Sequence, residues 1–236
     1  MPKNKFKRRV ILAVFAHPDD ACFSAGGSVA KWTSEGAKVY FLVLTNGNKG
    51  SDDHKMTSEK LVKVRRAEQE KAAKILRVEE VFFLNYNDCE LEPSMAVKRD
   101  IVKVIRQVKP DTVITFDPRY RYSTERGFIN HPDHIAAGEA TLAAVYPAAR
   151  DRLTFPNLGG KPHKVGQVLL VNFDEANFFI DISQTLDKKL QALKCHSSQI
   201  DNFSKVSKMV TDWARLAGKK AKSKYAEGFK RIVLSF

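Results

Sequence analysis

The chain has 236 residues, 43% apolar and 28% charged, which suits one α/β domain over 1–236 and leaves too little for two cores. Lys and Arg number 40 against 27 Asp and Glu, a net charge of +13, but the cations spread along the chain as a solvated surface. With no zinc knuckle, RNA-recognition signature or basic heptad array, no nucleic-acid partner is expected. No apolar run is long enough to span a bilayer, and three distant cysteines without a C-x-x-C pair suit free thiols in a reducing compartment.

In chain order, residues 1–9 are basic and 10–16 apolar, the outline of a signal peptide. The apolar run is short for that role and leads directly into His17-Pro18-Asp19-Asp20. It is therefore read as a buried strand over 10–15, and a cytoplasmic location is expected. A helix follows over 24–35, closed by Gly36, then a strand over 39–44 and a long loop over 46–57. Next come a helix over 58–76, a strand over 81–84 and a helix over 95–108, stopped by Lys109-Pro110-Asp111. A strand over 112–116, a second long loop over 117–130 and a helix over 132–145 complete this half. Segments 165–173 and 178–182 read as a hairpin-like pair of antiparallel edge strands. Helices over 186–195 and 205–216, a helical turn near 225–229 and a strand over 232–234 end the chain.

The first four strands are almost unbroken apolar runs, as in parallel sheets covered on both faces. Their alternation with helices predicts an α/β fold: a Rossmann-like, mostly parallel sheet sandwiched by helices. Long loops in compact domains are usually functional, so 46–57 and 117–130 are expected to wall a pocket at the carboxyl ends of the strands.

Two tetrapeptides carry the chemistry. His17-Pro18-Asp19-Asp20 follows the first strand; His17 and Asp20 are competent zinc ligands, and Asp19 between them is free to act as a base. His131-Pro132-Asp133-His134 follows the fourth strand and its loop. Pro132 suits the first helical position, which makes His131 the N-cap and sets His134 one turn in, on the same face. One of these histidines can bind metal while the other points at the reacting group, and Asp133 can fix a neighbouring tautomer. Two His and one Asp leave an open coordination position, the mark of a catalytic zinc site, where water reaches a pKa of about 7.

Together with Gly26-Gly27, Thr45-Asn46-Gly47, Arg65-Arg66-Ala67-Glu68, 83–88, His196-Ser197-Ser198-Gln199 and Ala226-Glu227-Gly228-Phe229, these motifs resemble the LmbE-like, PIG-L-type zinc-dependent N-deacetylases. That resemblance implies one zinc ion per chain, bound by His17, Asp20 and His134, with Asp19 as general base. It also implies that His131, oriented by Asp133, stabilises the oxyanion, and that Arg65 and Asp88 face the sugar. For His131 to work as imidazolium, Asp133 has to supply the opposing charge. The sequence departs from the family at Ala21-Cys22, where a glutamate is common.

The reading is a zinc-dependent hydrolase that removes an N-acetyl group from an N-acetylglucosamine-type sugar or conjugate, a small-molecule partner that the basic charge inclines towards an anion. The alternatives are a metal-dependent esterase or phosphoesterase, or a non-catalytic Rossmann-like ligand-binding module. A phosphoesterase wants a second metal and spare carboxylates to hold it. The binding module wants G-x-G-x-x-G after the first strand, where His-Pro-Asp-Asp stands instead. A homo-oligomer is compatible with the chain.

Overall fold

The computed structural model describes residues 9–235; the remainder of the basic stretch read as signal-like lies outside the described residues. Strands β1 (Val10–Phe15), β2 (Lys38–Thr45), β3 (Glu80–Tyr86) and β4 (Thr112–Phe116) alternate with helices α1 (Asp20–Ser34), α2 (Ser58–Ile75) and α3 (Met95–Val108). Next come the short ribbon β5 (Tyr122–Ser123) and β6 (Phe128–Ile129), then α4 (Pro132–Ala143) and β7 (Gln167–Val171). The chain finishes with β8 (Phe178–Asp181), α5 (Leu186–Leu193), α6 (Phe203–Ala221) and β9 (Ala226–Val233).

The seven-stranded sheet has the order β3-β2-β1-β4-β7-β9-β8. The first five strands are parallel, and β9 and β8 are antiparallel additions at one edge. β1 and β4 are buried along nearly their whole length because helices cover both faces, which is what their unbroken apolar sequences require. The chain leaves β1 towards β2 and β3 on one side, and leaves β4 towards β7 on the other. The carboxyl ends of β1 and β4 therefore flank a topological switch point, where open α/β sheets bind ligands.

Three sequence expectations change. α1 starts at Asp20, four residues earlier than 24, so a candidate ligand sits in its first turn. Segments 165–173 and 178–182 are not a hairpin: β7 joins the parallel sheet on β4, and β9 lies between β7 and β8. The helical turn near 225–229 is the start of β9, a full strand because it has a partner on each side; the expected strand over 232–234 overlaps its far end. Among the described residues no helix is long and apolar enough to cross a membrane.

Candidate metal and catalytic site

His17 leaves the end of β1, and Asp20 opens α1 one turn later. Between them Asp19 has φ 102°, a left-handed conformation costly for a residue with a Cβ. Partners hold it there: Asp19 N–H donates to Gln69 Oε1 at 2.9 Å, and Arg65 Nη2 donates to the Pro18 carbonyl at 2.9 Å. The Arg65 guanidinium also reaches Gly47 O at 3.2 Å and Asp19 Oδ2 at 3.5 Å. Gly47, at φ 64°, is needed beside it, because a Cβ there would stand 2.6 Å from Nη1.

The second motif opens α4 as expected: His131 is the N-cap, Pro132 the first helical residue, and His134 one turn in. Gly138 lets α4 lie close on β4; a Cβ there would stand 2.4 Å from Phe116 O. That close approach stacks the His134 ring on Phe116, with centroids 3.9 Å apart and planes 12° apart.

Donor atoms of three residues converge. His17 Nδ1 lies 3.3 Å from His134 Nε2 and 3.4 Å from Asp20 Oδ2, and His134 Nε2 lies 3.2 Å from Asp20 Oδ1. Donors about 2.0–2.1 Å from a tetrahedral ion stand about 3.3 Å apart, so His17, Asp20 and His134 are spaced to hold a divalent metal. The far side of each imidazole is engaged, as metal-ligating histidines require. His17 Nε2 faces Asp88 Oδ1 at 3.1 Å and Asp133 Oδ2 at 3.2 Å, and His134 Nδ1 pairs with Asn130 Oδ1 at 2.9 Å. Asn130 is fixed in turn, since its amide donates to Tyr120 O at 2.7 Å.

A second group, His17, Asp88, His131 and Asp133, is also close enough to surround an ion. Its members are already committed. Asp133 accepts from Cys89 N–H at 2.8 Å and Leu91 N–H at 3.3 Å besides meeting His17, and His17 has only Nε2 to offer on that side. Asp88 and Asp133 brace the ring of His17 from this side.

The remaining candidates fall as follows. Asp19 lines the cavity; burial pushes its carboxyl up to about 7, with Arg65 pulling the other way and Asp20 adding to the rise. His131 lines the same cavity. Its Nδ1 accepts from Asp133 N–H at 3.1 Å, so the neutral ring carries its proton on Nε2. Burial, then the neighbouring His17, hold it below the ordinary histidine range. This differs from the imidazolium expected from sequence: Asp133 orients His131 through its backbone, and its carboxylate serves His17. Arg65 and Asp88, expected to face the sugar, are 4% exposed and lie behind Asp19 and His17, outside the cavity lining.

The cavity is about 730 Å³ and has Asp19, Asp20, His131 and His134 at one end. Loop 117–130 contributes to its wall; loop 46–57 does not, packing instead beside 87–90 through Asn48 and Lys49. Sequence reasoning missed Gln69, Asn130 and the aromatic lining. Gln69 lies one turn from Arg65 and Asn130 directly precedes the second motif, so both were within reach of a search for supporting partners.

The family model for PIG-L, the GlcNAc-PI de-N-acetylases, matches residues 12–145. The diacetylchitobiose deacetylase of Thermococcus kodakarensis is 32% identical over 98% of this chain and 85% of its own. A probable N-acetyl-α-D-glucosaminyl L-malate deacetylase of Bacillus anthracis is 29% identical over 81% of each chain. Among solved structures, the N,N'-diacetylchitobiose deacetylase of Pyrococcus horikoshii superposes with a TM-score of 0.88 at 28% identity, covering 96% of this chain and 85% of that one.

Proposed function

The chain belongs to the GlcNAc-PI de-N-acetylase (PIG-L) family, and we propose that it is a zinc-dependent N-deacetylase acting on an N-acetylglucosamine-type sugar or conjugate. The observation that carries this reading is the convergence of His17 Nδ1, His134 Nε2 and the two Asp20 carboxylate oxygens, at contacts of 3.2–3.4 Å, beside a cavity lined by Asp19, Asp20, His131 and His134.

His17, Asp20 and His134 would hold a zinc ion, which when bound would supply Lewis-acid polarisation of the acetamide carbonyl and lower the pKa of water towards neutrality. Asp19, its carboxyl raised by burial, takes the proton from the attacking water and returns it to the departing nitrogen. His131 acts as a neutral donor, its Nε2–H stabilising the negative charge that develops on the carbonyl oxygen. Asp88 and Asp133 hold His17 with Nδ1 towards the site, and Arg65 holds the Pro18-Asp19 backbone.

Metal content and amine release from N-acetylglucosamine compounds test this directly. Asp20→Ala is expected to lose the metal. Asp19→Asn is expected to keep it and to lose more than about 10²-fold in turnover, because the group serves two proton transfers. Near-normal turnover of metal-loaded Asp19→Asn refutes the assignment of the base.

A further inference from the structure

Asp19 stands where an aspartate can serve either of two ends. It is the N-cap residue of α1, and an extended aspartate in that place turns its carboxylate back to accept the free N–H groups of the first helical turn. α2 and α3 begin in that way. Thr57 and Ser94 are extended, at φ −96° and −76°, and their hydroxyls accept from Lys60 N–H and Val97 N–H. Asp19 does not follow them: at φ 102° and ψ −34° its side chain makes no capping hydrogen bond, and it lines the cavity instead. The turn accounts for this backbone. Asp20 N–H reaches back to His17 O at 3.4 Å, so Pro18 and Asp19 are its two central residues. The second of them has the positive φ that type II turns ordinarily give to glycine. An aspartate there is strained, and it persists only where its surroundings hold it.

The hold is on a single peptide unit. The Pro18 carbonyl accepts from Arg65 Nη2 and the Asp19 N–H donates to Gln69 Oε1, both at 2.9 Å. In a trans peptide these two groups point in opposite directions, and Arg65 and Gln69, one turn apart on α2, meet both. Arg65 has further partners in Gly47 O and the Asp19 carboxylate. Gln69 is different. It is fully buried, and among the described residues its Nε2 meets no hydrogen-bond partner. A buried amide left half unpaired costs stability relative to an apolar side chain of its size, so its bond to Asp19 is what sets it apart. We propose that Gln69 is a positioning residue for the reaction: by fixing the Asp19 N–H it keeps Asp19 from relaxing into an ordinary cap of α1 and holds its carboxylate towards the cavity. This rests on the deacetylase reading only for the role of Asp19 as the base.

The test uses the metal-loaded full chain. Gln69→Met keeps the length of the side chain and removes the acceptor; Gln69→Glu keeps an acceptor oxygen at the same reach. With N,N'-diacetylchitobiose as probe substrate, Gln69→Met is expected to lose about 10²-fold in kcat, with KM within about twofold and metal content unchanged. Gln69→Glu is expected to recover to within about tenfold of the unaltered chain. Unreduced kcat in Gln69→Met, or an equal loss in both variants, overturns the proposal. Thermal melting of Asp19→Gly and Asp19→Ser reads the backbone without turnover. With Gln69 in place, glycine is free at φ 102° and should melt about 2–4 °C above serine. Combined with Gln69→Met, the same pair should close that gap or reverse it, since serine is the better cap once the backbone relaxes. A glycine lead undiminished by Gln69→Met overturns the proposal. The expected melting pattern, with no amine released by the unaltered chain from N-acetylglucosamine or N,N'-diacetylchitobiose, supports the positioning role and refutes the deacetylase reading. Amine release that Gln69→Met leaves unchanged refutes the positioning role alone.

Discussion

Glu227 and Lys189 give the sharpest test of how the scaffold holds the site. Both are about 5% exposed, and Lys189 Nζ lies 2.6 Å from Glu227 Oε1. The carboxylate also accepts from Gly27 N–H at 3.0 Å and Ser28 N–H at 2.7 Å, and the ammonium donates to Phe23 O at 2.7 Å. Phe23 O is the carbonyl that Gly27 N–H would meet in an uninterrupted helix, so the ion pair is set against the hydrogen-bond ladder of α1, one turn beyond Asp20. Glu227→Gln leaves a buried ammonium without its counter-charge, at a cost of about 3–5 kcal/mol, or about 6–20 °C in Tm for a chain of this size. Lys189→Met leaves a carboxylate that still has two N–H donors, and is expected to cost less, about 1–3 kcal/mol. The double variant should be markedly more stable than the sum of the two losses predicts, because no lone buried charge remains. Urea unfolding of the four proteins supplies the cycle. A Glu227→Gln protein within about 1 kcal/mol of the unaltered chain, or strictly additive losses, refutes the view that this pair is a desolvated, mutually dependent unit.

Arg65→Met removes the cation that opposes the rise of the Asp19 carboxyl; the acid limb of kcat/KM should then move to higher pH, and an unmoved limb in a metal-loaded protein contradicts the proposed contact. His196 is 1% exposed, and burial lowers its pKa to about 4 from an ordinary 6.5. The unfolded chain thus binds this proton first as pH falls, so stability should be lost between about pH 6.5 and 4, by at most about 3 kcal/mol, and no further below. His196→Leu should flatten that part of a stability-versus-pH curve, and an unchanged slope refutes the assignment.

How far the sequence could be read depended on whether a residue's neighbours were local. β1 and β4 announce themselves because a strand buried on both faces needs no partner to look apolar, and the two His-Pro-Asp motifs follow from ligand chemistry at strand ends. β9 did not, since Ala226–Val233 mixes Gly228 with Glu227, Lys230 and Arg231; it is a strand only because β7 and β8 both need it. Arg65 and Glu68 illustrate the same limit. Three apart on a helix, they read equally well as a surface ion pair. In the fold both are buried and they turn to different partners: Arg65 to Pro18 and Gly47, Glu68 to Ser197 and Ser198. The aromatic lining of the cavity assembles segments 120–128, 173 and 213, a proximity that no local pattern encodes.

The distribution of charge around His17 also favours a cation between His17, Asp20 and His134. Burial by itself would strip an imidazole of its proton. Here burial is overcome by hydrogen bonds that the ring donates to Asp133, Asp20 and Asp88, and the His17 pKa is pushed up to about 12. Asp20, conversely, stays well below the ordinary carboxylate range despite burial, because His134 and His17 face it. Three carboxylates lie within 3.4 Å of one ring, and Arg65, 3.7 Å from Asp88, offsets only part of their negative charge. The proton on His17 Nδ1 meets part of the remainder, on the atom that points towards Asp20 and His134. A divalent metal there would meet it more fully, displacing that proton while leaving Nε2–H on Asp88 and Asp133. Asp88 and Asp133, both facing Nε2, thus set the orientation of the His17 ring and turn its Nδ1 towards Asp20 and His134.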